Sequence, residues 1–510
     1  MLAKIMSFGL SGIEAYPIEI EVDVSCGLPA VNLVGLADAA IRESRERVKS
    51  AIKNSGFDWP GERITVNLAP SGLRKEGASF DLAIALGVLA ATGQLNSQRL
   101  EQYYILGELS LKGSLRPIRG ALPISTAAAK SNIKNLICPD DNAREAAIIP
   151  EINVWPIKTL CESVEFLNTP ECYRPFKLDT QELFSDNRRY HMDFAEVKGQ
   201  HYAKRALEIA VSGNHNILMI GPPGGGKTML AKRIPTIMPD LSLREALEIT
   251  RIHSAAGTLL PKEGVIAKRP FRAPHHNTSE AALTGGGSTP QPGEISLAHY
   301  GVLFLDELPE FRRDCLESLR QPLEEGSIRV SRVDKSFTFP ASFMLVCAMN
   351  PCPCGHYSDP RSSCRCTPNK VHSYRSKISG PLLDRIDIHI EVPAARYQEL
   401  SSSLPAENST EIKKRVNKAR LIQAQRFKYE GIFHNAQMNH RQVREFCLLG
   451  SEENGLLKTA MAELNLSARA YDKILKVSRT IADLAGTEQI KTEHLSEAIQ
   501  YRSLDRNFFM

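Results

Sequence analysis

The residues with the clearest chemistry are Gly221, Pro222, Pro223, Gly224, Gly225, Gly226, Lys227 and Thr228. They complete the pattern of a phosphate-binding loop, in which glycines let the backbone wrap a polyphosphate. The loop N–H groups then point inward at the start of a helix, where the helix dipole also favours an anion. Lys227 is expected to reach the β- and γ-phosphates, and Thr228 to ligate Mg²⁺. A second group follows the short apolar run 301–305, which ends in Asp306 and Glu307. Asp306 suits a carboxylate that holds Mg²⁺, directly or through water. Glu307 is placed to orient or deprotonate an attacking water. A third apolar run, 343–348, leads to Asn350, an amide that could polarise the same water; taken alone, Asn350 reads as a turn residue.

This chemistry requires strand, loop and helix in that order. Residues 216–220 are an apolar run that reads as a buried strand, and residues 229–234 read as the start of a helix. The runs before Asp306 and Asn350 have the length and composition of further buried strands. At 510 residues the chain predicts two to four domains. Its 42% hydrophobic and 24% charged content is that of a globular protein. No stretch approaches the roughly 18 consecutive apolar residues of a membrane span. The opening residues lack the long apolar core of a secretory signal, so a cytoplasmic location with no membrane partner is expected. A net charge of +5 is small for this length and says little about polyanion binding.

Cysteine usage is more pointed. Of 11 cysteines, Cys352, Cys354, Cys364 and Cys366 fall within fifteen residues. Two Cys-x-Cys pairs could make a tetrathiolate Zn²⁺ knuckle over 352–366, with His356 as a substitute ligand. Zinc ribbons more often use Cys-x-x-Cys, and four reduced structural thiols are the other reading.

The chain divides into an N-terminal domain 1–170, a polar linker 171–191, a core 192–400 and a C-terminal part 401–510. In the first, 22–36 reads as extended with a turn at Gly27 and Pro29, 39–55 as an amphipathic helix, 64–68 as a strand and 80–92 as an apolar helix. A second Ser- and Pro-rich linker spans 401–408, and 410–503 reads as almost wholly helical, punctuated by Gly450 and Gly486.

Four longer stretches carry a resemblance: Phe271-Arg272-Ala273-Pro274-His275-His276, Pro292 to His299, Ala348 to Gly355, and Ser379 to Asp387. They resemble the magnesium-chelatase-like branch of AAA+ ATPases and, within it, the bacterial ComM (YifB) family. The resemblance spans the whole chain. It implies an α/β protein with three parts: a Lon-protease-like (ribosomal S5 domain 2-like) α+β domain, a P-loop ATPase core and a helical lid. ATP, Mg²⁺ and a homo-hexamer are implied with it. Arg385 would be an arginine finger entering the neighbouring subunit's pocket; a salt bridge to Asp384 or Asp387 is the plainer reading. Arg469 matches the sensor arginine of the lid, or else is a solvated helix charge. Gly285, Gly286 and Gly287 lie where this branch carries a pore loop. His275 and His276 receive no role beyond that of loop histidines.

The stretch Lys75 to Ser79 matches the segment bearing the nucleophilic serine of Lon-type peptidases. Such a serine needs a lysine to take its proton. Leu122 stands in the matching place, so a Lon-like fold without peptidase activity is expected.

The resemblance implies a DNA motor, an ATP-driven hexamer that moves branch points on single-stranded or branched DNA during recombination of incoming DNA in natural transformation. Recombination proteins would be its partners. A chelatase-type metal-insertion motor and an ATP-driven protein remodeller are the alternatives. Residues 326–339 alternate apolar and polar types around a charged turn, as a hairpin does. Its Arg332 and Lys335 are candidate phosphate contacts, or simply a solvated tip.

Overall fold

The computed structural model describes residues 2–35, 39–71, 75, 77–178, 190–287, 290–331, 336–357, 362–394, 406–464 and 466–504. They form two compact units. One comprises Met1–Arg188, Ser242–Ala267 and Gly287–Pro292; the other comprises Arg189–Leu241, Lys268–Gly286 and Gly293–Met510.

The first unit is built on a seven-stranded mixed sheet. Its strand order is Ala30–Val34, Arg63–Ala69, Glu14–Ser25, Leu2–Ser11, Tyr103–Ile105, Asn135–Pro139 and Asn153–Ile157. Leu2–Ser11 and Glu14–Ser25 form an antiparallel hairpin, and Glu14–Ser25 is antiparallel to Arg63–Ala69. The other pairings are parallel. In Arg63–Ala69 the buried residues alternate as Ile64, Val66 and Leu68, the period of two that a half-covered strand imposes. One face packs on Ala39–Asn54 and Asp81–Ala91. All eleven residues of Asp81–Ala91 are buried, which is why its sequence is apolar on every side. Helix Ala121–Ala128 joins Phe8, Tyr104, Leu136 and Val154 in a separate core cluster.

Two segments depart from the expected divisions. Part of the linker over 171–191 is attached to this unit: the Phe176 N–H bonds the Val154 carbonyl, and Phe176 and Leu178 pack on the core. Residues 179–189 lie outside the described residues. Second, Ser242–Ala267, expected within the 192–400 core, groups with the N-terminal unit. Its helix Leu243–Ala256 opens with a capping box between Ser242 and Glu245. Near its other end the Ser254 carbonyl accepts the Gly120 N–H at 3.1 Å.

The second unit holds a five-stranded sheet in the order Phe271–Arg272, Val302–Leu305, Met344–Met349, Ile217–Ile220 and Ile388–Glu391, parallel throughout. Ile217–Ile220, Val302–Leu305 and Met344–Met349 are buried at every position, so they read as continuous apolar runs. Residues beyond 406 are helical as expected: Ser409–Arg426, His440–Phe446, Ser451–Glu463, Ala468–Ala485 and Thr492–Gln500. Gly450 precedes one helix, and Gly486, with φ 70°, ends another. Residues 401–405 of the second expected linker lie outside the described residues. Ser327–Ser331 and Ser336–Pro340 form the expected antiparallel hairpin.

Candidate active site

Strand order decides what the phosphate loop faces. Met344–Met349 lies between the loop's own strand, Ile217–Ile220, and Val302–Leu305. Asn350 therefore emerges between Lys227 and the acidic pair, at the carboxyl ends of parallel strands where ligands of open α/β sheets bind. Gly221 takes the turn because there is no room for a side chain: a Cβ there would lie 2.0 Å from the Val392 carbonyl oxygen. Lys227 opens the helix Lys227–Ile237. Its ammonium is nearly buried and donates to the Gly221 and Pro222 carbonyls at 2.6 and 2.9 Å and to Asn350 Oδ1 at 3.2 Å. Burial lowers its pKa, while Asp306 and then Glu307 act the other way.

Thr228 Oγ1 donates to Asp306 Oδ2 at 2.7 Å. A hydroxyl and a carboxylate that close suit one divalent cation, which is the hard oxygen chemistry Mg²⁺ prefers. Thr228 and Asp306 would hold Mg²⁺, whose chemistry there would be to offset phosphate charge. Glu307 sits beyond the strand end with φ 54°, a left-handed conformation that a side chain rarely adopts without a reason. Its carboxylate lies 3.2 Å from His276 Nδ1. His276 lies against His275, with ring centroids 4.1 Å apart and the ring planes tilted by 36°. Sequence reasoning gave this histidine no role; the structure makes it the side chain that positions Glu307. No sequence signal pointed to it: the contact follows from the strand Phe271–Arg272 lying beside Val302–Leu305, which only the sheet order decides.

Asn216, also missed, ties the site's strands together. Its Oδ1 accepts the Leu345 N–H at 2.9 Å and its Nδ2 donates to the Arg385 carbonyl at 2.9 Å. Arg385 pairs with neither Asp384 nor Asp387 as the plainer reading expected; its partner is Glu324. Asp384 is instead bonded by Arg469 at 3.2 Å. Asp387 is buried, 2.6 Å from Lys473 Nζ and 3.1 Å from His215 Nδ1. Burial opposes its charge, but Lys473 and then His215 outweigh that and hold the carboxyl far below its ordinary range. His215 Nε2 lies 2.8 Å from Thr480 Oγ1 on the helix Ala468–Ala485, and burial lowers the ring's pKa against the pull of Asp387.

The cysteine cluster follows directly. Sulfurs of Cys352, Cys354 and Cys364 are 3.3 to 3.7 Å apart, and with Cys366 all four lie within 4.8 Å of one another. Tetrahedral Zn²⁺ with bonds of about 2.3 Å demands S···S edges of about 3.8 Å, so the donor set fits. The knuckle also touches the phosphate loop. Gly355, with φ +83°, lies so close to Pro223 that a Cβ would come within 2.5 Å of its Cδ. With the Gly221 N–H on the Met349 carbonyl at 3.2 Å and Asn350 on Lys227, the segment 349–355 supports the loop at three points.

Other expected residues lie elsewhere. Gly285, Gly286 and Gly287 all have positive φ, of 95°, 144° and 101°. Arg332 and Lys335 lie outside the described residues. In the N-terminal unit Leu122 is buried and its N–H donates to Glu145 Oε1 at 2.7 Å, which also accepts the Ser254 hydroxyl. Burial raises the Glu145 pKa.

A parallel sheet with a phosphate loop, an acidic strand end, a polar strand end between them and a helical lid defines a P-loop ATPase of the AAA+ class. Family profiles agree. Residues 193–400 match magnesium chelatase, subunit ChlI; residues 20–142 match subunit ChlI of Mg-chelatase; residues 406–502 match the ChlI C-terminal region. The chain is 44% identical over 507 residues to competence protein ComM of Haemophilus influenzae, covering 99% of this chain and 98% of that one. It is also 44% identical over 501 residues to YifB of Escherichia coli K12, covering 97% and 96%. A 183-residue match, 26% identical and covering 32% of each chain, is to Lon protease 2 of Bacillus subtilis. The chain belongs to the ComM (YifB) family of magnesium-chelatase-like AAA+ proteins. ATP and Mg²⁺ are the ligands this family implies. Among the described residues no helix is long and apolar enough to cross a membrane.

Proposed function

We propose that the protein is an ATP-driven, homo-hexameric DNA motor of the cytoplasm. It moves branch points on single-stranded or branched DNA as incoming DNA is recombined during natural transformation. The observation that supports this reading is a phosphate loop and acidic strand end in the same compact unit as the antiparallel hairpin Ser327–Ser331 and Ser336–Pro340, whose strands flank the charged sequence 332–335. Similarity to a competence protein over nearly the full chain supports the biological setting.

The roles follow from the geometry. Lys227 and the loop N–H groups bind the phosphates, and Thr228 with Asp306 holds Mg²⁺. Glu307 accepts a proton from the attacking water, held in place by His276 and helped by Asn350. Arg385 acts in trans and Arg469 closes the lid on the nucleotide. Arg332 and Lys335 grip phosphates without reading sequence, so binding falls steeply with salt. The cysteine knuckle holds one structural Zn²⁺ that braces the phosphate loop. The Lon-like domain is a scaffold whose Ser79 stays unactivated, because Leu122 cannot take a proton.

A metal-insertion motor is the second reading, favoured by the description of the matching family profiles. DNA-stimulated ATPase separates the two. Stimulation by single-stranded or branched DNA, lost in Arg332→Ala with Lys335→Ala while basal turnover persists, is the expected result. Turnover indifferent to DNA would overturn the motor reading. The trans role of Arg385 is tested by mixing inactive Lys227→Ala and Arg385→Ala proteins, since interfaces that combine their intact halves regain activity. No recovery in demonstrably mixed assemblies would refute it.

A further inference from the structure

Arg385 is folded back on its own subunit. Its side chain is only 12% exposed, and its guanidinium pairs with the Glu324 carboxylate. Nη1 donates to the Pro381 carbonyl at 2.6 Å. The buried Nε has no hydrogen-bond partner among the described residues. A guanidinium can donate five hydrogen bonds, and leaving a buried one unmade is unfavourable. The tucked pose is therefore incompletely satisfied, which suits a side chain that leaves it.

Glu324 is placed to sense something. It is the penultimate residue of helix Arg320–Glu325, which ends at Gly326 in a left-handed turn with φ 63°. The hairpin strand Ser327–Ser331 starts at the next residue, and Ala341, just past the returning strand, bonds the Gly326 carbonyl at 2.8 Å. The hairpin root is anchored by buried Ile328. Ile328 shares one core cluster with Leu382, Leu383 and Ile386, which flank Arg385 in sequence. The hairpin root and the segments carrying both Glu324 and Arg385 thus share one packed cluster, of the kind that transmits displacement.

We propose that Glu324 is a positioning residue for the finger: it holds Arg385 retracted until a DNA strand engages the hairpin of the same subunit, whereupon Arg385 is released to the neighbour's nucleotide. The inference rests on the motor reading. DNA stimulation is then the freeing of a finger, and each subunit's grip on DNA licenses hydrolysis next door. The pair is partly exposed, with Glu324 59% accessible, so it is a weak restraint that a modest contact can break.

The test compares ATPase rates of full-length protein with and without single-stranded DNA. Glu324→Gln is expected to raise basal kcat about two- to fivefold, with KM for ATP unchanged, as loss of a weak ion pair allows. DNA should then add less than it adds to the wild type. Glu324→Asp should restore much of the low basal rate. In an Arg385→Ala background the Glu324→Gln change should do nothing. The trans arm is the most specific. Wild type mixed with Lys227→Ala/Glu324→Gln should hydrolyse faster than wild type mixed with Lys227→Ala, although the added substitution sits in a subunit that binds no ATP. An unchanged or lower basal rate in Glu324→Gln, or an increase that persists without Arg385, overturns the latch while leaving the finger in place. Full activity of Arg385→Ala overturns the finger assignment itself. A wild type indifferent to DNA overturns the motor reading and with it the opening step.

Discussion

Replacing Gly355 by alanine tests whether the cysteine knuckle positions the phosphate loop. Two effects are combined at this residue. Its φ of +83° is left-handed, which costs an alanine about 1–2 kcal/mol. The added Cβ would also lie 2.5 and 2.7 Å from Pro223 Cδ and Cγ, closer than carbon atoms approach. Overpacking of this kind costs about 1–3 kcal/mol unless a neighbour shifts. Pro223 belongs to the loop that cradles the phosphates, so relief of the clash moves the loop. Set against nucleotide binding at 1.4 kcal/mol per tenfold, that second cost predicts ATP binding weaker by about 5- to 140-fold. Gly431→Ala supplies the control. Its φ is +68° and nothing lies within 4 Å of the added Cβ, so it carries the backbone cost without the clash. Titration with a fluorescent ATP analogue and thermal unfolding should be run on both. Both variants should lose stability, and Gly355→Ala alone should lose affinity. Equal ATP affinity in the two would refute the idea that the knuckle braces the loop.

Three other outcomes are expected. Glu307→Gln should bind Mg²⁺-ATP like the wild type and hydrolyse it about 10²- to 10⁴-fold more slowly, because an amide cannot take the proton; multiple turnover at the wild-type rate would remove Glu307 from the mechanism. Elemental analysis should find about one Zn²⁺ per chain, and chelation should weaken ATP binding along with the fold, since metal-site binding energy is folding energy; a metal-free preparation with normal ATP affinity speaks for plain structural thiols. Acid should destabilise the ATPase unit as the pH falls below about 6.5. His215 is buried and burial lowers its pKa, so the unfolded chain binds a proton there more readily than the folded chain does. Stability therefore falls as pH falls, by up to about 1.4 kcal/mol per pH unit for this group. Denaturant melts above and below about pH 6.5 check it, and replacing His215 by glutamine should flatten the slope.

The nucleotide chemistry was legible in the sequence because it is local. Gly221 to Thr228 must be contiguous to wrap a phosphate, and Asp306, Glu307 and Asn350 each end a buried run whose apolar composition marks it as a parallel strand. The helical lid was legible too, since Gly450 and Gly486 punctuate periodic segments. Segment spacing likewise brought the four cysteines together. What the sequence left open depends on residues far apart in the chain. Strand order alone decides that Asn350 stands between Lys227 and Asp306. Only packing shows that His276 meets Glu307 across 31 positions, or that Arg385 turns from its neighbouring aspartates to Glu324. The insertion Ser242–Ala267 looked like core because it lies between core strands, yet its helix bonds into the N-terminal unit through Gly120 and Glu145. Short-range patterns report what a segment can form. Which segments meet is set by burial of their apolar faces and pairing of their polar groups, and those are satisfied only in three dimensions.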